Sequence, residues 1–339
     1  MKTVSVIVPC RNEARYLPHF LDSLLAQDLG PEVDCEILIA DGMSDDGSRE
    51  ILAEWHPRFK SLTILDNPQR FVSNGLNAAI RLARGEVIVR MDVHSDYAPD
   101  YIRQCMFALE QSGADNVGGP AVASGRTYVE RAACLAHQSP FGCGGARFHN
   151  PSYEGYADTV MFGCWRKATL ERLGGFDEEF IRNQDDELNL RITRGGGKIW
   201  QTPKIRLLYH PRSSIRALAR QYAQYGYWKT YVLRKHKIPA SWRHLVPGTF
   251  VAALVIAGVS APFSVFGRYL LAGLVSSYAL ANITASILAC RNLKDLVLLP
   301  ILPLVFAAYQ LSYGLGFLRG LFDIAVRNRP NPSFSALVR

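Results

Sequence analysis

The sequence has 339 residues, of which 48% are hydrophobic and 20% charged, and its formal net charge at pH 7 is +8. Intrinsic disorder is excluded, because disordered chains contain few apolar residues. The seven cysteines form no C-x-x-C pair, so we expect neither a disulfide framework nor a structural zinc site. We predict a reducing, cytoplasmic compartment, and residues 1–9 form a strand-like run that does not fit a secretory signal.

Strands and helices alternate along the first hundred residues. The apolar run Val4–Val8 predicts a first strand, and apolar residues recur at helical spacing from Leu17 to Leu25. The alternation continues with strands at 37–40, 62–65 and 87–91 and with helices around 51–55 and 76–83. This order predicts a parallel sheet covered by helices, in which ligands bind at the carboxyl ends of the strands.

No phosphate-binding glycine loop follows the first strand. The sequence there lacks both G-x-G-x-x-G and the P-loop pattern, and the glycine-rich residues 142–145 follow no predicted strand. We therefore interpret residues 142–145 as a flexible loop. A nucleotide diphosphate bound by this domain would need another counter-charge, most simply a divalent cation.

Two of the predicted strands end in acidic residues. Asp41 begins a loop with Ser44 and can accept hydrogen bonds from a base or ribose, although such loops also form turns and helix caps. Asp92 and His94 follow the fourth strand, and backbone alternation directs both to one side. Oxygen and imidazole ligands together suit Mn²⁺, whereas Mg²⁺ prefers oxygen alone. The alternative is a surface His94 ahead of a helix cap at Asp96.

A second acidic cluster covers residues 184–187. Leu188 and Ile192 are four residues apart, so the acids occupy the first turn of an amphipathic helix, where the helix dipole favours them. Near a cation site, the same carboxylates would also suit a general base. The spacing by itself leaves the structural and the catalytic interpretation open.

Cationic and apolar residues are segregated in the rest of the chain. Residues 198–244 contain eleven Lys or Arg and no Asp or Glu, which suits a juxtamembrane anchor or a site for an anionic lipid. A bilayer core needs about 20 apolar residues per helix, and apolar stretches near 246–265, 269–290 and 296–318 offer up to three spans. The basic residues before the first span place the N-terminal domain in the cytoplasm.

The number of spans stays open. Three spans would place the arginine-rich tail after residue 318 outside, which the preference of Lys and Arg for the cytoplasmic side disfavours. Prolines at 247 and 262, or at 300 and 303, could instead mark a re-entrant segment and give an even number of spans.

Five ordered motifs resemble the family 2 inverting glycosyltransferases, which have a GT-A fold. They are VSVIVPCRNE at 4–13, DGMSDDGS at 41–48, the segment from Gly85 to the Asp-x-His at 92–94, GGFD at 174–177 and QDDELNLR at 184–191. The Asp-x-His variant, the SNGLN run at 73–77 and the apolar tail are most similar to bacterial exopolysaccharide-synthesis members. The resemblance covers residues 4 to about 195.

The resemblance implies a role for each matched residue. Asp185 is the expected catalytic base and Asp186 its alternative, while Gln184 stands where the family's motif has Glu. Asp92 and His94 are the expected ligands of Mn²⁺ or Mg²⁺, although His94 replaces the usual last acid of the metal motif. The residues expected to contact the donor are Pro9, Arg11, Glu13, Asp41, Ser44, Arg70, Asn77, Arg220 and Gln221.

The resemblance also implies an organisation and an activity. We expect a Rossmann-like α/β GT-A domain at 1–210, a basic amphipathic juxtamembrane segment at 211–244, a membrane region at 245–320 and a basic tail at 321–339. The expected reaction moves one sugar, by family likeness glucose, from a UDP-sugar to a polyprenyl diphosphate-linked saccharide and forms a β-glycosidic bond. A Q-x-x-R-W signature of processive synthases is missing.

The expected location is the bacterial inner membrane, with several spans and a cytoplasmic catalytic domain. Other polysaccharide-assembly enzymes are expected partners, and nucleic acid is not, because the cations precede membrane spans. The alternative, which the departures at His94 and Gln184 favour, is a catalytically impaired scaffold protein in a polysaccharide assembly complex. Retention of Asp41, Asp92 and Asp185 argues against that alternative.

Overall fold

A computed structural model describes residues 2–327, 330, 331 and 334, and divides the chain into two compact units. The first unit is Met1–Val122 with Arg147–Tyr209, and the second is Ala123–Ala146 with His210–Arg339. The sequence-based division at residue 210 placed residues 123–146 in the first domain, whereas these residues belong to the second compact unit. Arg329 and Arg339 of the predicted basic tail lie outside the described residues.

Eleven strands are present among the described residues. They are β1 Lys2–Cys10, β2 Val33–Asp41, β3 Leu62–Asp66, β4 Val87–Arg90, β5 Ser95–Tyr97, β6 Asn116–Gly118, β7 Val122–Ala123, β8 Gly155–Tyr156, β9 Cys164–Arg166, β10 Ile199–Gln201 and β11 Leu207–Tyr209. Eight of them form one sheet in the order β3-β2-β1-β4-β9-β6-β10-β8. Strand β5 pairs with β11 outside that sheet.

Twelve α-helices accompany the strands within the described part of the chain. They are α1 Leu17–Leu25, α2 Ser48–Trp55, α3 Val72–Leu82, α4 Tyr101–Ser112, α5 Tyr128–Gln138, α6 Pro140–Cys143, α7 Lys167–Leu173, α8 Gln184–Arg194, α9 Ile215–His236, α10 Val246–Ser260, α11 Val265–Ala289 and α12 Leu302–Val326. The strands predicted at 4–8, 37–40 and 62–65 fall within β1, β2 and β3. The glycine-rich run predicted as a loop includes the end of the short helix α6.

The main sheet is mixed, whereas the sequence predicted a parallel one. Strands β3, β2, β1 and β4 are parallel, and their register aligns Cys10 with Asp41 and Asp41 with Asp66. Strand β9 runs antiparallel between β4 and β6. A three-residue strand carries no readable periodicity, so only its pairing reveals its direction. The aligned strand ends bring the loops after β1, β2 and β3 to one edge.

Both faces of the sheet are buried. Along β1, Val6 and Val8 belong to the apolar cluster that includes residues of α1 and α4, whereas Ile7 belongs to the cluster that includes residues of α3 and α8. Alternate residues of a strand point to opposite faces. A strand covered on both faces therefore appears as the continuous apolar run that the sequence shows.

Close contacts between glycines and backbone hold α9 and α12 together in the second unit. A Cβ added at Gly316 would overlap the carbonyl oxygen of Ala223, and one at Gly226 would overlap the carbonyl oxygen of Tyr313. Small residues allow this approach, as in membrane helix pairs. Helix α12 also packs its buried Phe306 in one cluster with the alanines of α5, which explains why residues 123–146 belong to this unit.

Two helices, Trp242–Ser260 and Val265–Ala289, are long and apolar enough to cross a membrane, and most of their surface is exposed. Their exposed side chains include Ile256, Val259 and Phe266. Helix α12, which contains most of the predicted third span, is not among the helices that meet this criterion, and its Asp323 is completely buried. The described residues therefore suggest a membrane-associated protein.

Replacing Gly316 by Ala should lower the thermal unfolding midpoint of the full-length protein in detergent. The added methyl group must push α12 away from Ala223, and such overpacking costs typically about 1–3 kcal/mol. Gly273→Ala is the matched control, because nothing lies within 4 Å of a Cβ at that position of α11. Equal midpoints for the two variants would contradict the close helix contact.

Candidate active site

The carboxylate of Asp41 is held at the end of β2 by two neighbours. Its Oδ1 accepts a hydrogen bond from Ser44 Oγ at 2.5 Å, and its Oδ2 accepts one from Arg49 Nη1 at 2.9 Å. Arg49 also donates to Asp66 Oδ1 at 2.8 Å. Because Arg49 contacts both acids, it links the carboxyl ends of β2 and β3. Asp41 itself is completely buried.

The loop after β1 is tied to the loop after β2. The backbone N–H of Asn12 donates to Ser44 Oγ at 2.8 Å, and that of Glu13 donates to Ser48 Oγ at 2.7 Å. Arg11 packs so closely on Gly42 that a Cβ at Gly42 would lie 3.1 Å from the arginine side chain. The structure thus brings together four residues predicted to bind the donor: Arg11, Glu13, Asp41 and Ser44. Pro9 lies one residue before the end of β1.

His94 forms ion pairs with two acids. Its Nε2 lies 2.9 Å from Glu13 Oε2, and its Nδ1 lies 3.5 Å from Asp92 Oδ1. Burial opposes the charge on His94, but the hydrogen bonds to Asp92 and Glu13 outweigh burial and raise the pKa of His94 to about 9. Burial likewise opposes the charge on Asp92, and His94 with Arg90 nevertheless keeps the pKa of Asp92 below its usual range.

Asp92 and His94 are placed where both can reach one cation. Their nearest ligand atoms are 3.5 Å apart, and one carboxylate with one imidazole fits Mn²⁺. A ligating imidazole must be neutral, so His94 would have to give up its proton and one ion pair. The donor set therefore fits a divalent cation, and the ligand role of His94 stays a prediction.

Asp185 lies at the start of α8 and contacts a buried arginine of β4. Arg90 Nη1 donates to Asp185 Oδ1, and Arg90 Nη2 lies 3.8 Å from Asp92 Oδ2. Burial raises the pKa of Asp185 above its usual range, Arg90 opposes that shift, and Asp186 adds to it. The predicted base and the predicted metal ligand are therefore brought to the same guanidinium group.

Sequence reasoning missed Arg90. It lies within the apolar run that predicted the fourth strand, and only 3% of the residue is exposed. Arginine is almost never fully buried without a partner. A charged residue in a strand covered on both faces was the available signal, but nothing near it in the sequence identified Asp185 as its partner.

The other acids of the 184–187 cluster differ in role. Glu187 is completely buried and pairs with Arg191 at 2.7 Å, while Arg191 donates to the carbonyl oxygens of Leu173 and Gly175. Glu187 therefore orients Arg191, which holds the turn after α7. Gln184 is buried, and Asp186 is half-buried next to Asp185. The role of Asp186 as alternative base stays a prediction.

The remaining predicted donor residues lie in different settings. The Asn77 amide donates to the carbonyl of Phe176 at 2.7 Å and accepts from its N–H at 2.8 Å. Arg70 is exposed on a backbone turn with φ 65°. Arg220 is exposed and Gln221 is buried on α9 of the second unit. Donor contacts of these four residues stay predictions.

Comparison with known proteins identifies the family. Residues 5–169 match the family described as Glycosyl transferase family 2. The succinoglycan biosynthesis protein ExoA of Rhizobium meliloti (strain 1021) is 30% identical over 244 residues, which cover 71% of this chain and 73% of that protein. The chain belongs to glycosyltransferase family 2. These matches confirm the resemblance found in the sequence, and with it the prediction that the protein is a glycosyltransferase.

Two further similarities extend beyond the matched family region. A glycosyltransferase of Methanococcus voltae is 27% identical over 75% of this chain and 81% of its own length, and is named dolichyl N-acetyl-alpha-D-glucosaminyl phosphate 3-beta-D-2,3-diacetamido-2,3-dideoxy-beta-D-glucuronosyltransferase. The mannosyltransferase PcManGT of Pyrobaculum calidifontis, solved with GDP-Man and Mn²⁺, aligns with a TM-score of 0.60 at 19% identity over 94% of this chain and 87% of its own. The predicted GT-A fold is confirmed.

Asn77→Ala should lower the thermal unfolding midpoint, because it leaves the buried N–H and C=O of Phe176 without this partner. An unsatisfied buried group costs about 1–3 kcal/mol. Asn74→Ala is the control, since the Asn74 amide donates to the half-exposed side chain of Glu178, which Asn77 also contacts, and not to Phe176. An unchanged midpoint for Asn77→Ala with weakened nucleotide binding would instead favour the donor role.

Proposed function

We propose that this family 2 glycosyltransferase of polysaccharide biosynthesis is an inverting, non-processive enzyme that transfers one sugar from a UDP-sugar to a lipid-linked saccharide. The observation that carries the proposal is the shared contact of Asp92 and Asp185 with Arg90, which joins a metal-ligand candidate to a base candidate. Arg90, Asp92 and Asp185 lie at the same edge of the sheet as the ion pair of Glu13 and His94.

Asp41 is the proposed contact for the nucleoside. Each carboxylate oxygen has two lone pairs, so Asp41 Oδ1, which accepts from Ser44, can accept a further bond from the base or ribose. Because Asp41 is completely buried, this contact requires the half-exposed Arg49 to move aside when the donor binds. The complex of PcManGT with GDP-Man and Mn²⁺ supports a nucleotide-sugar donor and a divalent cation. The family resemblance favours UDP as the nucleotide and glucose as the sugar.

Asp185 is the proposed base. Its raised pKa favours uptake of the proton from the acceptor hydroxyl, whose oxygen then bonds to the anomeric carbon as the bond to the diphosphate breaks. Attack opposite the leaving group inverts the anomeric centre, so an α-linked donor gives a β-glycoside. A divalent cation held by Asp92 and His94 would neutralise charge on the leaving diphosphate.

A lipid-linked acceptor agrees with the apolar and basic segments of the second unit. The Methanococcus voltae relative is named for a dolichyl phosphate-linked sugar, and two helices of the present chain are apolar enough for a membrane. Helix α9 carries exposed cations, among them Arg216 and Arg220. Basic residues near anionic lipid each contribute about 1 kcal/mol, and the same charges suit a polyprenyl diphosphate.

We further propose that α10 and α11 span the inner membrane as a hairpin. The residues 261–264 between them form a short connection, which makes the two helices antiparallel neighbours. Two spans return the chain to its starting side, so Arg291 and Lys294 lie in the cytoplasm with the basic residues before α10. This arrangement satisfies the preference of Lys and Arg for the cytoplasmic side.

Asp185→Asn should reduce acceptor-dependent release of UDP from UDP-glucose by about 10²–10⁴-fold, because general bases contribute that much. Membranes containing the protein are assayed with Mn²⁺ or Mg²⁺ and a polyprenyl diphosphate-linked sugar. The isosteric control Asp186→Asn should retain most of the activity, and Asp92→Ala should abolish the metal-dependent release.

Other outcomes of this assay have separate meanings. Loss of activity in Asp186→Asn alone would make Asp186 the base. Release by the wild-type protein from GDP-mannose in place of UDP-sugars would overturn the choice of nucleotide. A folded wild-type protein that binds UDP but releases none from any of several UDP-sugars would favour the scaffold alternative.

Alkaline phosphatase, which is active only outside the cytoplasm, should be active when fused after Phe263 and inactive when fused after Lys294. Phe263 lies in the connection of the proposed hairpin, and Lys294 follows its second helix. A fusion after His244 is the inactive control. Phosphatase activity after Lys294 would require an odd number of spans before that point and would contradict the hairpin.

A further inference from the structure

Arg90 is a charged residue in a strand that is otherwise apolar. It ends β4, and only 4% of its side chain is exposed. Its guanidinium carbon lies 5.6 Å from the ring centroid of Phe162 and 5.9 Å from that of Phe176, within range of cation–π attraction. Rings of two separate loops therefore restrict where the guanidinium can lie.

The anions around this guanidinium belong to two different chemical tasks. Arg90 Nη1 contacts Asp185, the proposed base, and Nη2 lies 3.8 Å from Asp92, the proposed metal ligand. Buried charge is tolerated when it is paired and hydrogen-bonded. One acid is enough to neutralise the charge of the arginine. The second contact therefore serves to fix the position of the proposed base relative to the proposed metal ligand.

The contact with Asp185 leaves part of that carboxylate available. Arg90 contacts Oδ1, and 36% of the Asp185 side chain is exposed although Arg90 itself is buried. With Oδ1 held from the interior, Oδ2 is the oxygen that receives the acceptor proton. A carboxylate held through one oxygen keeps a single orientation, and catalysis depends on that kind of positioning.

We infer that Arg90 is a positioning residue that holds the Asp185 carboxylate toward the acceptor and at a fixed distance from Asp92. The inference rests on the proposed function, because it assigns Arg90 a task only if Asp185 is the base. A purely structural ion pair, which would merely attach α8 to the sheet, is the competing explanation. The two differ in kinetics, since a structural pair affects the amount of folded enzyme and a positioning residue affects its turnover.

The test compares Arg90→Lys and Arg90→Met with wild type in the acceptor-dependent release assay, with each rate divided by the amount of folded protein. We expect Arg90→Met to lower kcat at least about 10-fold while the donor KM changes less than about 3-fold, the pattern of a lost transition-state interaction. Arg90→Lys should recover part of kcat, because it keeps the charge but not the two-pronged geometry.

The matched control is Arg166→Met on the neighbouring strand β9. The Arg166 guanidinium donates to the carbonyl oxygens of Leu109 and Ala114, outside the proposed site. The kcat of Arg166→Met per folded molecule should therefore equal that of wild type. If Arg90→Met does not fold, Arg90→Lys supplies the comparison, with a smaller fall in kcat and a constant donor KM.

A double-mutant cycle separates the two explanations. If Arg90 acts through Asp185, Arg90→Lys should change the residual rate of Asp185→Asn by less than about 3-fold, because coupled residues are not additive. Equal losses in the two backgrounds, or a change confined to donor KM, would overturn the inference. An inactive wild-type enzyme would contradict the proposed function, and the inference with it, whereas an active wild type with additive losses would overturn the inference alone.

Discussion

The buried guanidinium of Arg90 requires acidic side chains beside it. A cation at the end of an apolar strand is stable only if anions with good geometry replace its water. Asp185 and Asp92 supply them, and His94 with Glu13 continues the alternation of positive and negative groups. Arg90 and His94 each contact two acids, and both contact Asp92. This requirement places α8, β4 and the loop after β1 around one small region.

The surrounding loops are fixed by polar side chains that bond to their backbone. Asn77 of α3 bonds both polar backbone groups of Phe176, and Arg191 of α8 bonds the carbonyl oxygens of Leu173 and Gly175. Phe176 in turn packs near the guanidinium of Arg90. When hydrogen bonds to neighbouring backbone hold the residues that line a site, the site keeps its geometry. The acidic cluster at 184–187 thus combines a candidate base with a structural acid.

The second unit follows a different physical rule. Apolar surface is exposed on α10 and α11, where a bilayer would cover it, while α9 and α12 approach through glycine and bury Asp323 beside Arg319. Small residues permit this close backbone contact, as they do in membrane helix pairs. The predicted third apolar segment therefore forms most of a packed helix, although its composition is similar to that of its neighbours.

The sequence by itself determined the features that depend on neighbouring residues: the strands β1 to β3, the acids Asp41 and Asp92 at strand ends, and the apolar segments after residue 244. Periodicity and composition encode these directly. Only the tertiary structure decided that β9 is antiparallel, that residues 123–146 join the second unit, and that Arg90 contacts Asp185. Such contacts join residues far apart in the chain, and they depend on the packing and electrostatics of the assembled sheet, which no local pattern encodes.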